Sequence, residues 1–191
     1  MLIPFETLNW LVGFGAVVLE LAALFLFGLL YFRKKNPAAL ELSRLTARYG
    51  ILAGLALTLA ALAMSLYYSE VLGFSPCGLC WTMRVFMYSQ VFIFATALVK
   101  KDRSIADYII VLSVAGLLVG LYQHYLQLGG ANFLPCPASP EAADCAERIL
   151  FEFGHVTFPW VGVSMFLFLI AAALHIRIGE KEGNSPSEPR S

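Results

Sequence analysis

Five stretches of this chain are almost continuously apolar: Leu8–Phe32, Tyr49–Tyr68, Cys80–Val99, Ile105–Leu126 and Phe158–Ile176. About 20 apolar residues in a helix cover a bilayer core of ~30 Å, so each stretch is long enough to cross. No stretch alternates apolar and polar with a strand's period. The pattern therefore predicts an all-α integral membrane protein. Between the fourth and fifth spans the pattern breaks. Gly129–Pro140 is rich in Gly and Pro and reads as irregular. Ala146–Phe153 reads as a short amphipathic helical turn, with Ile149, Leu150 and Phe153 toward lipid and Glu147, Arg148 and Glu152 toward water. Gly179–Ser191 is polar and reads as a disordered tail. Gly50 and Gly54 in span two, and Gly116 and Gly120 in span four, are spaced to let helices approach closely.

Composition agrees with the spans. Of 191 residues, 59% are hydrophobic and 14% charged, and the mean hydropathy is +0.74. A soluble domain of this size could not bury so much apolar surface. The net charge of zero hides an asymmetry. Arg33, Lys34, Lys35, Arg44 and Arg48 follow span one; Lys100, Lys101 and Arg103 separate spans three and four; Arg177, Lys181 and Arg190 follow span five. Only Arg84 and Arg148 remain for the opposite side. Basic loops stay in the cytoplasm, so the N-terminus is expected outside and the C-terminus inside. Met1–Asn9 carries no basic residue, and the positive cluster follows span one, so an uncleaved helix is expected rather than a signal peptide.

Orientation gives the four cysteines a compartment. Cys77 and Cys80 precede span three; Cys136 and Cys145 precede span five. Two crossings separate the pairs, so they share a side, and the charge asymmetry makes it the outer, oxidising one. A Cys-x-x-Cys pair can form a strained, easily exchanged disulfide. Cys80 falls in the first turn of span three, where the helix dipole favours a thiolate. Arg84 lies four residues on, on the same face. A buried arginine is costly unless paired, and a thiolate or a quinone carbonyl would serve; the alternative is snorkelling toward the headgroups. Two other uses of the cysteines stay open. Four thiols on one side could hold structural zinc. They could also be static staples, and closing the Cys136–Cys145 ring would contribute about 2.5–3 kcal/mol.

Pro76-Cys-Gly-Leu-Cys-Trp-Thr-Met-Arg84, with Met87-Tyr88 after it, resembles the signature of DsbB-type disulfide-bond formation proteins, including the BdbC branch. So do Pro135-Cys136, Cys145 and Phe151-Glu-Phe-Gly-His-Val-Thr-Phe-Pro159. The vitamin K epoxide reductase relatives place their loop cysteines before the Cys-x-x-Cys; here they follow it. The resemblance covers about residues 48–176 and implies a four-helix transmembrane bundle, with span one as an additional N-terminal helix. The chain then divides into 1–47, a catalytic 48–178 with loops at 69–80 and 127–157, and the tail 179–191. Two further departures are Met83, where the family often has Gln or Glu, and the short Cys136–Cys145 spacing.

The resemblance implies a thiol oxidase of the bacterial cytoplasmic membrane. Disulfides would be Cys77–Cys80 and Cys136–Cys145. A reduced, DsbA-like thioredoxin-fold protein would attack the outer disulfide at Cys136. Cys77 and Cys80 would take the electrons, and Cys80 would pass them to ubiquinone or menaquinone, with Arg84 polarising the quinone. Gln123 and His124, near the outer end of span four, are further candidates for holding it. No resident metal and no nucleic-acid partner are expected. The competing functions are a disulfide-stapled structural membrane protein and a metal-binding transporter module. Three polar residues stand apart. His155 precedes span five; His175, at the far end, reads as structural. Glu20 lies midway along span one, where an ionised carboxylate is costly, so it is expected to be protonated or bonded to a neighbouring helix.

Overall fold

All five predicted spans are helices in the computed structural model, which describes residues 4–133, 136 and 144–183. They are α1 (Phe5–Phe32), α2 (Pro37–Leu66), α3 (Gly78–Lys100), α4 (Ala106–Gln127) and α5 (Phe158–Gly183). Each is long and apolar enough to cross a membrane. Span two begins earlier than its apolar run, because Asn36 caps the helix: its side chain accepts from Ala38 N at 2.9 Å, and Pro37 takes the first turn. α2 is thus continuous through residues 47 and 48, where the catalytic part was expected to begin. It ends in a single π-helical turn, Tyr67–Val71. At the other end of the chain, α5 runs past Ile176 to Gly183, into the expected tail, and its Glu182 pairs with Arg33, the C-cap of α1. Residues 184–191 lie outside the described residues, as do Pro135 and most of the segment between the outer cysteines.

The helical turn expected at Ala146–Phe153 is not formed. Phe151–Glu152 (β1) pairs antiparallel with Val156–Thr157 (β2), Phe151 opposite Thr157 and Glu152 opposite Val156. Phe153 and Gly154 reverse the chain with φ of 53° and 75°. Leu150, expected toward lipid, is buried with Val156 against Ala16 of α1. Burying those side chains outweighs a weak eight-residue helical periodicity.

α5 is the central helix. Of its most apolar window, 56% is buried, against 28% for α1 and for α2. It meets α4, α1 and α2, and the main core gathers Phe94, Ile109, Phe166, Leu169 and Ile176 around it. The spaced glycines do permit close approach. A Cβ on Gly54 would lie 2.4 Å from the Phe94 ring, and one on Gly116 only 2.3 Å from Phe166. Those rings sit where a side chain would be, so the helices approach closely.

Hydrogen bonds across the apolar core fix helix rotation. Ser113 of α4 donates to Gln90 of α3 at 3.0 Å. His175 lies between Ser43 of α2 (2.8 Å) and the Leu26 carbonyl of α1 (3.1 Å), a packing role at the end far from the cysteines. Glu20 is bonded to a neighbouring helix, as one of its two expected states requires. Its Oε1 accepts from Trp160 Nε1 at 2.6 Å and from Ser164 Oγ at 3.1 Å, and Oε2 lies 3.5 Å from His155 Nε2. Midway along α1 therefore means level with the first two turns of α5.

Candidate thiol and acceptor site

Cys77 is the N-cap of α3. Its sulfur accepts from the Cys80 amide at 3.3 Å, the task usually given to Ser or Asp. Capping holds both sulfurs at the helix tip, 2.8 Å apart and not bonded to each other. The Cys77 thiol is held well above its ordinary range, first because it donates to Cys80 and then by burial. Gln123 reaches across from α4 and donates Nε2 to both sulfurs, at 3.1 Å each. A fixed amide donor there stabilises negative charge on sulfur.

Arg84, one turn below Cys80, is 6% exposed, so it does not snorkel. Nor are its hydrogen bonds made to sulfur. Nε donates to Ser65 Oγ and Nη2 to the Ser65 carbonyl, both at 2.8 Å, and the guanidinium lies 5.2 Å from the Trp81 ring. Ser65 lies in the last turn of α2, just before the π-helical turn. Sequence reasoning missed Ser65; a lone serine at the end of an apolar run carries no signal of its own.

The outer cysteines lie beside this helix tip. Cys136 and Cys145 are joined by a disulfide with their Cα atoms 6.1 Å apart. Cys145 is buried with Cys77 and Leu126, and Cys80, Tyr122 and the half-buried Cys136 pack against that cluster. The segment carrying Cys145 is anchored: Gln127 Nε2 donates to the Glu147 carbonyl at 2.7 Å and Asn9 to the Ile149 carbonyl at 3.1 Å. Both cysteine pairs thus occupy one end of the bundle, in a single cluster.

Behind the helix tip is a cavity of about 720 Å³. Cys77, Cys80, Arg84 and Gln123 line it, with apolar walls from α1, α2, α3 and α5. Four of the five methionines, Met64, Met83, Met87 and Met165, are on its walls; thioethers adapt to irregular and aromatic shapes. Met83 has its tip in the notch between Gly120 and Gly162. Two buried acceptors that face no donor among the described residues, Gln123 Oε1 and Gln127 Oε1, belong to cavity-lining side chains. The exposed Asp144 and Glu147 add to the polar lining; apolar walls, one cation and unused amide oxygens fit a flat apolar ring with polar ends, in either its carbonyl or its hydroxyl form.

His124 is not part of this cavity. One residue along α4 from Gln123, it is rotated toward the hairpin, where Nδ1 meets Thr157 Oγ1 at 2.8 Å and the ring lies 4.5 Å from that of Trp160. Successive helical positions are about 100° apart, so neighbours in sequence face different helices. His155 likewise sits with Glu20 and the Phe153 carbonyl, away from the sulfurs.

The family model described as "Disulfide bond formation protein DsbB" matches residues 47–176. The SPbeta prophage-derived disulfide bond formation protein B of Bacillus subtilis is 31% identical over 118 residues, 62% of this chain and 78% of its own. A probable disulfide formation protein of Oceanobacillus iheyensis is 39% identical over 132 residues, 64% of this chain and 83% of its own. The disulfide bond formation protein C of Bacillus subtilis is 30% identical over 112 residues, 59% and 80% of the two chains. No solved structure matches the chain.

Proposed function

This chain belongs to the DsbB family of disulfide bond formation proteins, a multi-pass membrane protein-disulfide oxidoreductase, and on that premise we propose that it reoxidises a DsbA-like dithiol protein at the expense of a membrane quinone. One observation carries the proposal. The Cys136–Cys145 bond packs against the Cys77/Cys80 pair, and that pair lines one cavity with Arg84 and Gln123.

The chain's own residues account for the relay. A partner thiolate attacks Cys136, the more exposed sulfur of the outer pair, and Cys145 leaves as a thiolate. The partner's second thiol then resolves the mixed disulfide and departs oxidised, leaving two electrons and two protons behind. Cys145, buried against Cys77, attacks the Cys77–Cys80 disulfide, and Cys80 leaves. Cys136 attacks the resulting Cys145–Cys77 bond and restores the outer disulfide. The inner pair now holds the electrons, with Cys77 keeping its proton by donating to Cys80 and Gln123 donating to both sulfurs. Arg84 and the amide oxygens of Gln123 and Gln127 are the groups that would hold ubiquinone or menaquinone. When bound, the quinone accepts two electrons and two protons and leaves as the hydroquinone.

The charge asymmetry supports a bacterial cytoplasmic-membrane orientation with cysteines outside and the C-terminus in the cytoplasm. The catalytic unit is residues 48–178, with 1–47 supplying the added helix α1, a short basic turn and the first turns of α2. The test is turnover of purified protein with a reduced thioredoxin-like substrate and a quinone. Each single Cys→Ser change should abolish it; four variants that all turn over normally would refute the relay.

A further inference from the structure

Building on the quinone reading above, we propose that α1 is the closing wall of the acceptor cavity and that Gly15 sets how large a ring the cavity admits. The family match begins at residue 47, so α1 lies outside the part of the chain shared with the family. Nevertheless Val12, Gly15, Ala16, Val18 and Leu19 line the cavity. All but the more exposed Val18 recur at the spacing of one helical face. Residues on other faces of α1, Phe14, Leu21 and Phe25 among them, are exposed and suited to lipid.

The wall is held at both ends of this stripe. Before it, Asn9 accepts from Tyr68 at 2.6 Å and donates to the Ile149 carbonyl. After it, Glu20 accepts from Trp160 and Ser164. A helix tied by buried and part-buried hydrogen bonds on either side of its cavity face is a fixed part of the site. Within the stripe, a Cβ at Gly15 would meet nothing within 4 Å, whereas one at the nearby Gly13 would come 2.9 Å from Glu152. The space before Gly15 is therefore cavity, and any side chain placed there takes volume from a bound ring. Gly28 offers the control. It lies on the same helix, its Cβ would also meet nothing within 4 Å, and it does not line the cavity.

Full-length protein and the Gly15→Leu and Gly28→Leu variants are purified in their fully oxidised form, so that no electrons flow during the measurement. Equilibrium binding of a decyl-benzoquinone and a fused-ring naphthoquinone is then determined, together with the lipid quinone retained through purification. Gly15→Leu should weaken binding about tenfold, the naphthoquinone more than the benzoquinone, as overfilling a packed site does. Gly28→Leu should bind like the unchanged chain. If the two variants behave alike, the wall assignment is wrong. If the unchanged chain binds no quinone, the acceptor reading falls with it; if it binds and Gly15→Leu binds equally, only the wall falls. Should Gly15→Leu fail to accumulate, Leu19→Ala carries the test with the opposite sign. It should raise naphthoquinone affinity relative to benzoquinone, and an unchanged ratio overturns the proposal.

Discussion

Cys77 and Cys80 carry identical side chains three residues apart, yet their surroundings divide the labour. Cys77 is buried at the cap and gives its hydrogen to Cys80, which keeps it a thiol to higher pH than a free cysteine. Cys80 lines the cavity, and its sulfur accepts from the Gln123 amide while its backbone N–H donates to Cys77. Removing Cys80 removes the first cause of the Cys77 shift while leaving the burial. In Cys80→Ala the pH midpoint for Cys77 reaction with methyl methanethiosulfonate should therefore move down, toward the ordinary thiol range. A midpoint that stays or rises would show that burial alone holds the proton. The Cys-x-x-Cys, its arginine and its place at a helix start were all legible in the sequence, because spacing along a helix determines them. The Ser65 partner of Arg84 was not, because it comes from another helix, brought there by packing.

Between elements, shape and a few hydrogen bonds set the crossings. Phe166 occupies the place of a side chain at Gly116, so Gly116→Ala should force α4 and α5 apart and cost about 1–3 kcal/mol. Thermal unfolding in detergent measures that loss, and Phe166→Leu in the same chain should recover part of it. Glu20 joins α1 to α5 through an oxygen that accepts two hydrogen bonds. Glu20→Gln retains an acceptor and should preserve thiol oxidation. Glu20→Leu leaves Trp160 and Ser164 without that acceptor and should lower the unfolding temperature, by an amount corresponding to about 1–3 kcal/mol. A collapse of activity in Glu20→Gln at normal protein levels would instead give the carboxylate a chemical role. The glycine spacing predicted close approach, but not which aromatic ring would fill each notch. Nor did the short apolar pattern at Ala146–Phe153 reveal a hairpin, since that depended on Leu150 and Val156 finding α1.

At the scale of the molecule, five helices gather two cysteine pairs and one cavity at the same end. The proposed relay stalls when its acceptor is withdrawn. In cells blocked in quinone synthesis, trapping with a maleimide should find Cys77 and Cys80 reduced first and Cys136 and Cys145 afterwards. Four cysteines that remain oxidised would mark them as staples. The sequence by itself determined the number of spans, the shared side of the sulfurs and the family. Long apolar runs, basic loops and cysteine order are properties of the chain read in one dimension. Only the tertiary structure decided that Gln123 faces the sulfurs while His124 turns toward the hairpin, and that α1 lines the cavity. Those outcomes depend on helix rotation and crossing, which are settled by packing between elements distant in sequence.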